Sequence, residues 1–225
     1  MLFRSGNGSR PAADGPRVHL CRISSAAGVE LVRAAKADGL QVTCDVSINS
    51  LHLTEGDIGY FDSRARLCPP LRQQRDRSAL QAALADGTID VLVSDHNPVE
   101  ADAKNLPFAE AEPGATGLEL LLSLALKWGE TCGQTLPQTL ARITSLPAKV
   151  LGASLGTLQA SLGQLVAGGV ADVCVFDPAA QWSVVPDALQ SQGKHTPFAF
   201  EMGGTPMHGQ VRCTVVSGHV AFEAA

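Results

Sequence analysis

The chain has 225 residues, 45% of them apolar, and carries 17 Lys and Arg against 22 Asp and Glu for a net charge of −5. That length and apolar content imply a folded domain with a sizeable core rather than a disordered chain. No Lys/Arg run or basic stripe marks a nucleic-acid surface, and the longest apolar stretch, Leu118–Leu126, is too short to span a bilayer.

Residues 1–16, rich in Gly, Ser, Pro and Arg, read as a flexible lead-in with no apolar core of a signal peptide. Val18–Ile23 reads as a strand. Ser24 or Ser25 can cap a helix over Ala26–Ala37, with Val29, Leu31, Val32 and Ala35 as its apolar stripe and Gly39 as its stop. Leu40–Val46 is a second strand. An irregular segment follows, in which Leu51, Leu53 and Ile58 pack inward, punctuated by Pro69-Pro70. Arg72–Ala85 is a charged helix with Leu80 and Leu84 inward, ended by Gly87, and Ile89–Ser94 is a third strand. This β-α-β-loop-α-β order implies a parallel sheet with right-handed crossovers. Three strands do not close a barrel, so the pattern fits either part of a (β/α)8 barrel or a smaller open sheet.

Residues 97–116 form a long polar loop, and loops after strand ends carry function more often than others. Gly117–Glu130 and Leu136–Leu151 read as two helices, with Pro147 able to kink the second. After Gly152 the character changes. Gly163–Asp177 is a Gly turn, at Gly163 and Gly169, followed by an alternating strand, and Val211–Phe222 is two strands about a Ser-Gly turn. The expected division is a lead-in over 1–16, a barrel portion over 17–152 and a small β-subdomain over 153–225.

Six cysteines are scattered without a C-x-x-C pair. Cys21, Cys44 and Cys174 lie in apolar strand-like runs, where a free thiol acts as a small hydrophobe. This usage fits a reducing cytoplasm.

The most informative stretch is Val91-Leu-Val-Ser-Asp-His-Asn-Pro98. A short apolar run delivers Asp95 and His96 to a strand end, followed by a turn proline. A carboxylate there can ligate a metal or move a proton, or it can simply cap the loop. His96 reads as a hydrogen-bonding support for the loop in preference to a ligand.

Several ordered motifs carry a family resemblance. They include His-Leu-Cys-Arg-Ile-Ser-Ser (19–25), Val-Thr-Cys-Asp-Val (42–46), Pro-Pro-Leu-Arg (69–72), Ser-Asp-His-Asn-Pro (94–98), Glu-Pro-Gly-Ala-Thr-Gly-Leu-Glu (112–119), Leu-Pro-Ala-Lys-Val-Leu-Gly (146–152) and Ala-Asp-Val-Cys-Val-Phe-Asp-Pro (171–178). Together they resemble the C-terminal half of a dihydroorotase, in the cyclic amidohydrolase branch of the amidohydrolase superfamily. The resemblance implies an α/β fold: the last three strands and helices of a (β/α)8 TIM-type barrel with a small C-terminal β-subdomain. It implies zinc as the family's cofactor, at the C-terminal mouth. There a metal-bound hydroxide opens a cyclic amide while an Asp shuttles the proton.

Carried over position by position, Asp95 matches the family's last-strand Asp, both metal ligand and proton shuttle. Pro113 and Gly114 match the substrate loop. Arg22 stands where the family has a metal-binding His, and a guanidinium offers no lone pair. Asn49 and Ser50 stand for a His-His pair, Cys68 for a substrate-contacting Asn, and Val99 for a substrate-contacting His. No H-x-H occurs in the 225 residues. A buried Asp without a cation is costly, so a close Arg22–Asp95 contact is expected in place of the metal. Arg72 reads as a structural clamp or a ligand contact, and Cys68 as an inert thiol.

The chain also resembles the inactive dihydroorotase-like chains that accompany aspartate carbamoyltransferase in some bacteria. It is therefore expected to be a catalytically deficient protein of pyrimidine biosynthesis, not binding zinc alone. Its expected role is structural, in an oligomer or a complex with that transferase. The alternative is a zinc-dependent dihydroorotase or related cyclic amidohydrolase.

Overall fold

The computed structural model describes residues 16–199 and 206–224. The expected lead-in lies, apart from Pro16, outside the described residues. In chain order, β1 (Val18–Leu20) leads to α1 (Ala26–Ala37), β2 (Val42–Ser47), α2 (Ile48–His52), α3 (Gln74–Asp86) and β3 (Val91–Val93). The strands form a parallel sheet in the order β1-β2-β3, with Val18 opposite Val42 and Asp45 opposite Val91.

Local chemistry explains the elements. The Ser25 hydroxyl accepts from the Gly28 N–H at 3.1 Å and starts α1. The Asp76 carboxylate in the first turn of α3 accepts from the Ala26 N–H at 2.9 Å, which ties the two helix starts together. Val29 and Val32 are buried, whereas Leu31 is 55% exposed. The expected stripe was therefore too wide: two residues of helix turn about 200°, so Leu31 faces away from Val29. Gly87, at φ 85°, closes α3 in the left-handed conformation, and Leu80 and Leu84 are buried as expected.

The strand period of two divides the sheet. Cys44, Val46 and Leu92 are buried against α1 and α3. Thr43, Asp45, Val91 and Val93 face the other way and line a cavity. The buried Cys44 thiol behaves as the expected hydrophobe, its pKa pushed up to about 11 by burial. Cys21, just past β1, and Cys174, in the strand over Val173–Trp182, differ: both are exposed.

The remaining elements are α4 (Ala101–Lys104), α5 (Leu121–Thr131), α6 (Leu136–Ala141) and α7 (Ser145–Leu151), followed by β4 (Val173–Trp182), β5 (Met207–Val216) and β6 (His219–Glu223). The single helix expected over 136–151 is two. The Arg142 carbonyl accepts from the Leu92 N–H at 3.0 Å, and its guanidinium donates to the carbonyls of Ile89 and Asp90. The corner between α6 and α7 is thus bound to β3, which a continuous helix would prevent.

The second sheet is antiparallel, in the order β4-β5-β6, and turns at Ser217-Gly218, both at positive φ. β5 packs on α5, where the Ser123 hydroxyl donates to the Gly209 carbonyl and accepts from Trp182 Nε1. The segment between β4 and β5 returns to the first sheet: Val184, Leu189 and Phe198 belong to the same core as Val29 and Trp128. Among the described residues no helix is long and apolar enough to cross a membrane. The architecture is a partial (β/α) barrel carrying a small antiparallel sheet.

Candidate functional site

Parallel strands deliver their C-terminal ends to one rim. Arg22 lies two residues past β1 and Asp95 two past β3. Both hold left-handed backbone, at φ 57° and 49°. For non-glycine residues this costs on the order of 1 kcal/mol or more, and it persists where surrounding contacts enforce it. The enforcing contacts at Arg22 come from Asp45, whose Oδ1 accepts from the Arg22 N–H at 2.7 Å and whose carbonyl accepts from the Ile23 N–H at 2.9 Å.

The turn aims the guanidinium across the rim. Arg22 Nη1 lies 3.4 Å from Asp95 Oδ1 and donates to the Cys68 carbonyl at 2.9 Å. The contact expected from the sequence is present. Arg22, Asn49, Leu67, Cys68, Asp95, Asn97, Pro113, Gly114 and Ala115 enclose a cavity of about 80 Å³. Positions singled out far apart in the sequence thus meet at one place. The space takes a few waters and falls well below the roughly 300 Å³ at which small-molecule pockets begin.

The floor is built by residues the sequence reading passed over. Asn97 Nδ2 donates to the Pro113 carbonyl at 3.0 Å, and the Asn97 N–H to Ala115 at 2.9 Å. Its signal was available: a polar residue directly after the strand-end His96. Gly114 sits at φ 147°, and a Cβ there would lie 2.5 Å from the Asn97 carbonyl oxygen. Its N–H donates to the Arg66 carbonyl, which also accepts from Lys104 Nζ at 3.1 Å. Lys104 is 2% exposed, and burial, followed by the nearby Arg66 charge, pushes its pKa down to about 8.

His96 Nδ1 accepts from the N–H groups of Gly117 and Leu118, at 3.2 and 3.3 Å, and so holds the start of the α5 segment. Asn49 and Ser50 are buried at the start of α2, Val99 is buried, and Arg72 is exposed with its carbonyl accepting from the Glu55 N–H.

The zinc implied by the resemblance does not fit this rim. Asp95 supplies one carboxylate, but the position beside it holds a guanidinium, which has no lone pair and would face the ion with like charge. Asn49 offers at most a weak amide oxygen.

No protein-family model matches the chain. A dihydroorotase-like protein of Pseudomonas aeruginosa is 40% identical over 209 residues, covering 93% of this chain and 47% of that protein. A dihydroorotase of Trichlorobacter lovleyi is 36% identical over 208 residues, 92% of this chain and 46% of its own length. The chain belongs to the dihydroorotase family. It spans just under half the length of the curated relatives it matches. Among solved structures, an L-hydantoinase from Arthrobacter aurescens superposes with a TM-score of 0.81 at 28% identity, over 92% of this chain and 45% of that one. The partial barrel is thus that of a cyclic amidohydrolase.

Proposed function

We propose that this dihydroorotase-family chain is catalytically deficient and acts in pyrimidine biosynthesis as a cytoplasmic structural partner of aspartate carbamoyltransferase. The observation that carries the deficiency is the 3.4 Å approach of Arg22 to Asp95. In the chemistry implied by the family, a strand-end Asp would shuttle a proton and a metal would supply the activated water. Here Asp95 faces a guanidinium that also donates to the Cys68 carbonyl. The carboxylate is held as half of an ion pair, and the small cavity leaves little room for a six-membered ring beside it. Six free cysteines suit a reducing compartment.

One observation favours the alternative, a zinc-dependent cyclic amidohydrolase: Asp95, Pro113 and Gly114 still converge on one cavity. The deciding experiment is dihydroorotate hydrolysis by the purified chain with added zinc, beside an active family enzyme, with hydantoin as a second substrate. The expected result is no turnover, together with co-elution with the aspartate carbamoyltransferase of the same organism. Turnover within about a hundredfold of the active enzyme, a barrier difference of about 3 kcal/mol, overturns the deficiency. Separate elution overturns the partnership.

A further inference from the structure

One residue beneath the rim, on the sheet face opposite α1 and α3, β1, the residue that follows it and β2 bring a histidine, a cysteine and an aspartate together. One ligand atom from each of His19, Cys21 and Asp45 lies within 4.8 Å of the others. We propose that these three side chains bind one zinc-class divalent cation, at a place separate from the Asp95 rim and independent of how that rim functions.

The surroundings are those of a ligand set. His19 Nδ1 is 2.8 Å from the Thr43 hydroxyl, which orients the ring and turns Nε2 toward Asp45 Oδ2 at 2.9 Å. Metal-binding histidines are commonly oriented in this way through their other nitrogen. The Arg22 N–H occupies Asp45 Oδ1, so Oδ2 is the oxygen facing the cluster. Asp45 is 5% exposed, and a buried carboxylate calls for a cation. The mixed nitrogen, sulfur and oxygen set suits zinc or cobalt(II) with water as the fourth ligand, whereas calcium and magnesium prefer all-oxygen shells with more ligands. A cavity of about 670 Å³ lined by His19, Thr43 and Asp45 provides an entry path. Binding takes Cys21 as the thiolate, and its proton leaves to solvent.

The test uses the full chain, stripped with a chelator and titrated with cobalt(II). The expected result is one equivalent bound, with a thiolate-to-cobalt charge-transfer band and strong visible bands of tetrahedral cobalt, all bleached by zinc. Cys21→Ser removes the charge-transfer band and Asp95→Asn leaves the spectrum unchanged. Without any variant, saturating zinc should slow iodoacetamide labelling of Cys21 at least tenfold while the exposed Cys68 and Cys174 keep their rates. No cobalt uptake would mean that His19 and Asp45 form an ion pair only, and overturns the site. So does a spectrum without a thiolate band, equal protection of all three cysteines, or bands lost in Asp95→Asn and kept in Cys21→Ser.

Discussion

Removing the Arg22–Asp95 pair tests whether a guanidinium stands in for the metal charge. At 3.4 Å two unit charges attract by about 1 kcal/mol in water and by about 5 kcal/mol at an effective dielectric of about 20. The Arg22 side chain is 45% exposed and that of Asp95 is 14%, so solvent screens the pair and the lower end applies. The expected coupling is about 1 kcal/mol. It is read from a double-mutant cycle by urea unfolding of the unaltered chain, Arg22→Ala, Asp95→Ala and the double variant. At about 1 M salt the coupling should fall by half or more. Arg22→Gly should be more stable than Arg22→Ala by about 1 kcal/mol, because glycine adopts φ 57° without steric cost. A low-salt coupling within about 0.3 kcal/mol of zero refutes the reasoning. Asp95 would then have no need of the guanidinium, and the argument for a replaced metal would fall with it.

Three further outcomes follow from the packing. His52 donates from Nε2 to the Leu124 carbonyl at 2.9 Å; burial first, and then the charge of Lys127, lowers its pKa from 6.5 to about 4. Between those values the unfolded chain binds more protons than the folded one, so stability should fall by about 3 kcal/mol as pH drops from 6.5 to 4. His52→Gln should flatten that slope in urea titrations, and an unchanged slope would assign it to other groups. Gly114→Ala places a Cβ 2.5 Å from the Asn97 carbonyl oxygen, so it should cost about 2 kcal/mol or more by thermal unfolding. A neutral result would show that the loop shifts freely. Trp128 is fully buried with Nε1 donating to the Gln81 carbonyl, and Trp128→Ala should cost about 3–5 kcal/mol. A loss below about 1 kcal/mol would mean that α5 is not part of the cooperative core.

Features governed by a few neighbouring residues were legible in the chain itself. A short apolar run announced β3, Leu80 and Leu84 marked the inward face of α3, and Ser217-Gly218 announced the β5–β6 turn. Each depends on period or turn chemistry within about ten residues. The ordered motifs carried the family, and with it Asp95, Arg22, Pro113 and Gly114 as companions before any contact was known.

Other features needed the tertiary structure. Lys104 falls in the long polar loop expected over residues 97–116, yet it is buried and the Ser63 and Arg66 carbonyls accept from its amine. The helix over 136–151 breaks where the Leu92 N–H of β3 donates to the Arg142 carbonyl, fifty residues downstream. Leu31 lies outside and Val32 inside through a rotation about the helix axis that composition does not record. His19, Cys21 and Asp45 become neighbours only through the β1–β2 register, and Arg22 meets Asp95 across 73 residues. The sequence by itself determined the family and the larger strands and helices, since periodicity and motifs are local. Which distant polar groups meet was decided by strand register and by the backbone turns that aim side chains, and these exist only once the chain has packed.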